Sequence, residues 1–133
     1  MPQKSETLPI WSASDIVAAR QVVRQWATEM KFTLVDQTKI VTAASELARN
    51  TLQHGGGGSM AISTVDNGVY HGLRLTFEDK GPGISDVEQA MKDGFTTGGG
   101  MGLGLSGSKR LMSQFEIESK AGEGTRVTVT RWK

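Results

Sequence analysis

Glu46 and Asn50 stand four residues apart in SELARNTLQHG, and His54 follows after four more. In a helix that spacing projects the three side chains from one side. A glutamate can orient and deprotonate an attacking hydroxyl or water. An asparagine oxygen is a hard donor that suits Mg2+. An isolated E-x-x-x-N is equally the polar, solvated face of a helix. Here Ala44, Leu47 and Thr51 flank the pair and set it at the margin of an apolar stripe, where the floor of a cleft would lie.

Asp79 to Ile84 reads D-K-G-P-G-I. Gly81 and Gly83 around Pro82 make a rigid turn with accessible backbone. The turn serves as an ordinary end to a strand, or it presents the Asp79 carboxylate to an exocyclic amine. The second use would select adenine, which offers an amino donor where guanine offers a carbonyl. Further on, Gly100, Gly102 and Gly104 open a helix, where backbone N–H groups bind phosphate oxygens and glycine permits close approach. Phe95, Thr96 and Thr97 begin the Gly- and Thr-rich stretch 94–102, which is able to close over a nucleotide and equally able to be a plain connector.

Two pattern matches in this region fail. Gly102 to Gly107 satisfies G-x-G-x-x-G, but no apolar strand precedes it and too little chain follows for a dinucleotide fold. Gly102 to Lys109 approaches a P-loop, but Ser108 separates Gly107 from Lys109.

The elements that must position these residues follow from periodicity. Leu8 to Trp11 reads as a first strand. Ser14 is placed to cap a helix over 15–30, with Asp15 near its positive start and Ile16, Ala19, Val23, Ala27 and Met30 on its apolar stripe. Arg20, Arg24 and Glu29 lie off that stripe. A second helix covers 34–54, with Ile40, Ala44, Leu47 and Thr51 on one face and Gly55 at its end. Strands around 60–65 and 73–78 flank the Asn67-Gly68 turn signal, and the alternation puts Asp79 on the buried side after Phe77. A short helix over 85–92 and a third over 104–112 come next. Phe115 and Ile117 begin a strand, and Gly122-Glu123-Gly124 turns into a last one with Thr125, Val127 and Val129 on one face. The order βααββααββ predicts an α+β, two-layer α/β sandwich: a mixed, mostly antiparallel sheet with the helices on one face.

Bulk properties narrow the class. A chain of 133 residues fits one domain, 1–133, around a single core. A net charge of +1 supplies no field that would draw it to nucleic acid or to an acidic membrane. No cysteine is present, which excludes disulfides, thiolate metal sites and a cysteine nucleophile and suits a cytoplasmic protein. The N-terminal MPQKSETLPIW does not read as a signal peptide. No run approaches the ~18 apolar residues of a membrane span.

Taken together, SELARNTLQHG, EDKGPGI, GGGMGLGLSG and AGEGTRVTV resemble the N box, the two glycine boxes and the final G-T strand of the GHKL superfamily, the Bergerat-fold ATP-binding proteins. The resemblance spans about 40–130. The chain's size and the segments DIVAARQ, DGFTTGGG and GLSGSKRLM are similar to the small serine/threonine kinases of bacterial stress and sporulation control, most of all the switch kinases of the stressosome. That resemblance implies an ATP- and Mg2+-dependent protein kinase. Glu46 would be the general base and Asn50 the Mg2+ ligand. Asp79 would read adenine, with Gly81 in its turn and Gly83 beneath the base. Thr97 would belong to the lid, Gly100, Gly102 and Gly104 would hold phosphates, and Thr125 would support Asp79. The family uses no lysine of the eukaryotic-kinase kind, so Lys109 receives no catalytic role. The implied substrates are STAS-domain proteins, a scaffold and an antagonist, and the implied output is a phosphatase or other partner activated after release. The alternative within the same fold is an anti-sigma factor that holds a sigma factor directly. Arg20 and Arg24 are the candidate docking face. The run of four glycines after His54 departs from the family pattern and bears on the local loop shape.

Overall fold

A computed structural model describes residues 4–84, 91, 96–97, 101–102 and 105–133 of the chain. Helix α1 (Ala13–Glu29) begins where Ser12, in an extended conformation, accepts a hydrogen bond from the Asp15 backbone N–H, while the Asp15 carboxylate accepts from Trp11 N at 2.8 Å. This reciprocal cap corrects the expectation that Ser14 is the capping residue. Ser14 already lies in the first turn, and its hydroxyl bonds that of Ser12 at 2.9 Å. Helix α2 (Leu34–Gln53) starts in the same way at Thr33, which accepts from Asp36 N. It ends at His54, where the N–H groups of His54 and Gly55 both reach the Asn50 carbonyl.

Strands β1 (Ser5–Ile10), β2 (Gly58–Asp66), β3 (His71–Asp79), β6 (Gln114–Lys120) and β7 (Gly124–Trp132) form one sheet in the order β1-β2-β3-β7-β6. Every pairing in it is antiparallel, so the mixed sheet expected from the sequence is not formed among the described residues. The reason is the β6–β7 hairpin. The chain leaves β3, enters the edge as β6, and returns as β7 into the slot beside β3. The first strand runs three residues further toward the N-terminus than the sequence suggests, and Trp11 lies beyond it. Ser5, Glu6 and Thr7 hide from a search for apolar alternation because an edge strand need not be buried on both faces.

Helices α1, α2 and α3 (Leu105–Leu111) cover one face of this sheet, α1 packing on α2 and α2 on α3. Cross-strand rows supply the core: Met60, Phe77, Val127 and Ile117 form one, and Ile62, Leu75, Val129 and Phe115 the next. Ala19, Val23, Trp26 and Ala27 of α1 and Ile40, Ala43, Ala44, Leu47 and Ala48 of α2 close over them. Each large apolar side chain so buried contributes roughly 1.5–3 kcal/mol. Within 94–102, which reads in sequence as a loop, the chain carries a two-residue ladder of β4 (Thr96–Thr97) and β5 (Met101–Gly102). The helix expected over 85–92 lies, except for Met91, outside the described residues.

Candidate nucleotide site

One cross-strand row continues the core to the end of the sheet. Asp79 of β3 pairs with Gly58 of β2 on one side and Thr125 of β7 on the other, and Thr125 pairs with Ser119 of β6. Cross-strand partners share a face, so Asp79, Thr125 and Ser119 stand side by side beneath α2, one row beyond Phe77 and Val127. The last two turns of α2 supply the opposite wall with Leu47, Asn50, Thr51 and His54. Gly55, Gly83, Ile84 and Leu105 complete the cleft. The cleft opens to solvent, and its volume is about 50 Å3.

Glycine permits the closeness of α2 to this row. A Cβ on Gly55 would overlap the Asp79 carboxyl group, so only a residue without a side chain lets the helix end meet β3 there. Gly83 has φ 71°, a left-handed backbone, and its α-carbon faces the Lys120 carbonyl with no space for a side chain. The Pro82 carbonyl accepts from Gly122 N, at 2.6 Å, so the D-K-G-P-G-I turn is strapped onto the β6–β7 hairpin.

Asp79 accepts a hydrogen bond from Gly81 N at 3.0 Å. Burial pushes its carboxyl above the ordinary aspartate range, while the backbone N–H groups of Gly81 and Thr125 work in the opposite direction. The half-buried carboxylate therefore stands ready for a donor that arrives with a ligand.

The ten residues singled out in the sequence separate in space. Asn50, Asp79, Gly83 and Thr125 line the cleft together. Gly81 lies behind Asp79, packed on Gly55. Glu46 is one turn before Asn50 but is not part of the cleft lining, and its Oε1 accepts from Arg49 Nη1 at 2.8 Å. Both partners of that pair are about 40% exposed (40% and 39%), so it is weakly held, at roughly 0–1 kcal/mol. Thr97 pairs with Met101, and Gly102 with Thr96, in the β4–β5 ladder. Gly100 and Gly104 lie outside the described residues.

Sequence reasoning passed over Arg49, which holds Glu46, and Ser119, which holds Thr125. Arg49 carries no signal beyond i,i+3 spacing. Ser119 does: Phe115, Ile117 and Ser119 alternate in phase, so a polar side chain enters the buried face at the end of that strand.

Among the described residues no group of three or more His, Cys, Asp or Glu side chains is placed to hold a metal ion. Asn50 is a single hard oxygen donor at the cleft. One protein ligand with phosphate oxygens and water is a usual way to hold Mg2+, so the residues present fit that ion.

Comparisons with known proteins show the family of the chain. Residues 35–133 match the model of the histidine kinase-, DNA gyrase B- and HSP90-like ATPases. The serine/threonine-protein kinase RsbT of Bacillus subtilis is 50% identical over 118 residues, 89% of each chain. An anti-sigma F factor of a Thermoanaerobacter species is 34% identical over 119 residues, 86% of this chain and 82% of its own. In crystal, the RsbU and RsbW domains of a Mycobacterium tuberculosis protein align with a TM-score of 0.66 at 22% identity, covering 99% of this chain and 33% of that longer one. That likeness speaks for the fold alone. The chain belongs to the histidine kinase-, DNA gyrase B- and HSP90-like ATPase family, in the group of small protein serine/threonine kinases and anti-sigma factors that holds RsbT.

Proposed function

We propose that residues 1–133 form a single Mg2+- and ATP-dependent kinase domain that phosphorylates a serine or threonine of STAS-domain proteins, the scaffold and antagonist of a stressosome-like complex. Once released, it activates a phosphatase or other output protein, in the cytoplasm. The observation that carries the nucleotide half is the row of Asp79 and Thr125 facing Asn50 across an apolar cleft. The half-identity to a serine/threonine-protein kinase supports the protein substrate. No helix among the described residues is long and apolar enough to cross a membrane.

In this reading adenine enters between Phe77, Ile84 and Leu105 and donates its amine to Asp79. Thr125 flanks that carboxylate, and Gly83 lets the backbone lie under the ring. Asn50 would hold Mg2+ beside the phosphates, and the ion would supply neutralisation of their charge. Thr97, Gly100, Gly102 and Gly104 belong to the lid and phosphate loop. The substrate hydroxyl oxygen bonds to the terminal phosphorus as the bond to the ADP oxygen breaks, and Glu46, turned away from Arg49, takes the hydroxyl proton. Most of the acceleration in such transfers comes from positioning and charge neutralisation.

The test mixes the protein with labelled ATP, Mg2+ and purified STAS-domain proteins. Label on a STAS protein, lost in Glu46→Ala while calorimetric ATP binding persists, is the expected result. Equal transfer by parent and variant would remove Glu46 from its role. The named likeness to anti-sigma F factors favours one second reading, a direct hold on a sigma factor. Co-purification with a sigma factor and no transfer to STAS proteins would select it. In either case the outer face of α1, where exposed Arg20 and half-buried Arg24 border a groove with Val17 and Val41, is the docking face. Arg20→Glu is expected to weaken partner capture at unchanged ATP affinity.

A further inference from the structure

Ser119 stands behind the cleft and touches it only through others. Its Oγ accepts from Ile84 N at 2.7 Å, lies 3.1 Å from the Gly124 carbonyl and 2.7 Å from Thr125 Oγ1. Proton counting orders these three bonds. A serine hydroxyl has one hydrogen, a carbonyl only accepts, and a backbone N–H only donates. One assignment serves all three contacts at once: the Ser119 hydrogen goes to the Gly124 carbonyl, and the contact between the two hydroxyls, in which either atom can donate, uses the hydrogen of Thr125. What Thr125 has left for the cleft is lone pairs.

We infer that Ser119 is a positioning residue for base selection: by taking the Thr125 hydrogen it makes the cleft floor, Asp79 and Thr125 together, a pair of acceptors that welcomes an amine and rejects a carbonyl. The inference rests on the nucleotide reading above and deepens it. With the Ser119 oxygen absent, the Thr125 hydroxyl rotates and donates into the cleft, and a base with a carbonyl in place of the amine finds a partner. Ser119 also anchors the wall at Ile84, and that contribution weakens every nucleotide alike. The ratio of affinities separates the two effects.

The experiment is calorimetric titration of ATP and ITP, which differ in the 6-amine against a 6-carbonyl, into the parent and into Ser119→Ala, Ser119→Thr and Thr125→Val. The parent prefers ATP. Ser119→Ala lowers the ATP-to-ITP preference by about tenfold, the usual worth of one misplaced buried hydrogen bond. Ser119→Thr, which keeps the hydroxyl, retains the preference. Adding Ser119→Ala to Thr125→Val changes the ratio no further. If Ser119→Ala fails to fold, Ser119→Cys reads the same ratio, since a thiol is a weak hydrogen-bonding group of similar shape. Equal weakening of both nucleotides, a further ratio change in the double variant, or a parent that binds ATP and ITP alike overturns the inference and leaves the nucleotide reading standing. A parent that binds neither overturns that reading and the inference with it.

Discussion

Gly55→Ala is a one-carbon probe of whether the end of α2 and the Asp79 row form a single fitted unit. The added Cβ would lie 2.5 Å from Asp79 Oδ2 and 2.6 Å from Asp79 Cβ, against 3.4 Å for ordinary contact. Neither side has room to give. Asp79 is held by Gly81 N at 3.0 Å, and its backbone is paired on both sides, with Gly58 and Thr125. Gly55 is held by its bond to the Asn50 carbonyl at 3.1 Å. Overpacking of this kind costs about 1–3 kcal/mol, which lowers the melting temperature of a domain this size by about 3–12 °C. Displacing the carboxylate would also remove the hydrogen bond proposed between Asp79 and the base, so on that reading ATP affinity falls about tenfold or more. Thermal denaturation and calorimetry read the two effects separately. Gly107→Ala is the control: its Cβ meets nothing within 4 Å on helix α3, and alanine there is expected to stabilise by about 0.5–1 kcal/mol. A Gly55→Ala protein that melts with the parent and binds ATP as the parent does would refute the packing argument.

Asn50→Ala is expected to weaken ATP binding in the presence of Mg2+ far more than in its absence, so the affinity gained on adding Mg2+ shrinks; an unchanged gain would count against Asn50 as the ligand. The Asp79 carboxyl has its folded-state pKa raised above 3.8 by burial, so its protonation favours the fold below 3.8, and that contribution is lost as pH rises through the raised value. Asp79→Asn should therefore melt higher than the parent at neutral pH without ligand, converge with it in acid, and lose the preference for ATP over GTP; the melting-temperature difference against pH checks the sign. Arg131 donates to the Leu111 carbonyl and to Asp36 Oδ1, both at 2.9 Å, and so ties β7 to the end of α3 and the start of α2. Arg131→Ala leaves both acceptors without that partner in a half-buried site and is expected to cost about 2–4 kcal/mol in urea denaturation.

The local signals were strong where one residue's neighbours in sequence are also its neighbours in space. Helix α2 shows this: Ile40, Ala44, Leu47 and Thr51 recur at helical spacing, and all four are buried. The α+β class, the Asn67-Gly68 hairpin, the inward phase of Asp79 after Phe77 and the spacing of Glu46 and Asn50 were legible for the same reason. The cap of α1 lies two residues before the one the sequence suggests, because Ser12 and Ser14 carry the same chemistry. Only the extended backbone at Ser12 separates them. Within α2, nothing in the one-dimensional spacing says that Asn50 enters the cleft while Glu46 turns to Arg49.

What tertiary structure alone decided is register. Asp79, Thr125 and Ser119 are separated by dozens of residues or by a hairpin, and their meeting in one row follows from the return of β7 between β3 and β6. A shift of one residue in that pairing would send Thr125 to the solvent face. The glycines illustrate the division. Their clustering is visible in the chain, but that Gly55 must admit a carboxyl group and Gly83 a carbonyl depends on which backbone lies opposite. Sequence determines the periodicities and the chemical repertoire because these act over a few residues. The choice of partner across the sheet belongs to the folded whole, where long-range pairing sets which groups share the same few ångströms.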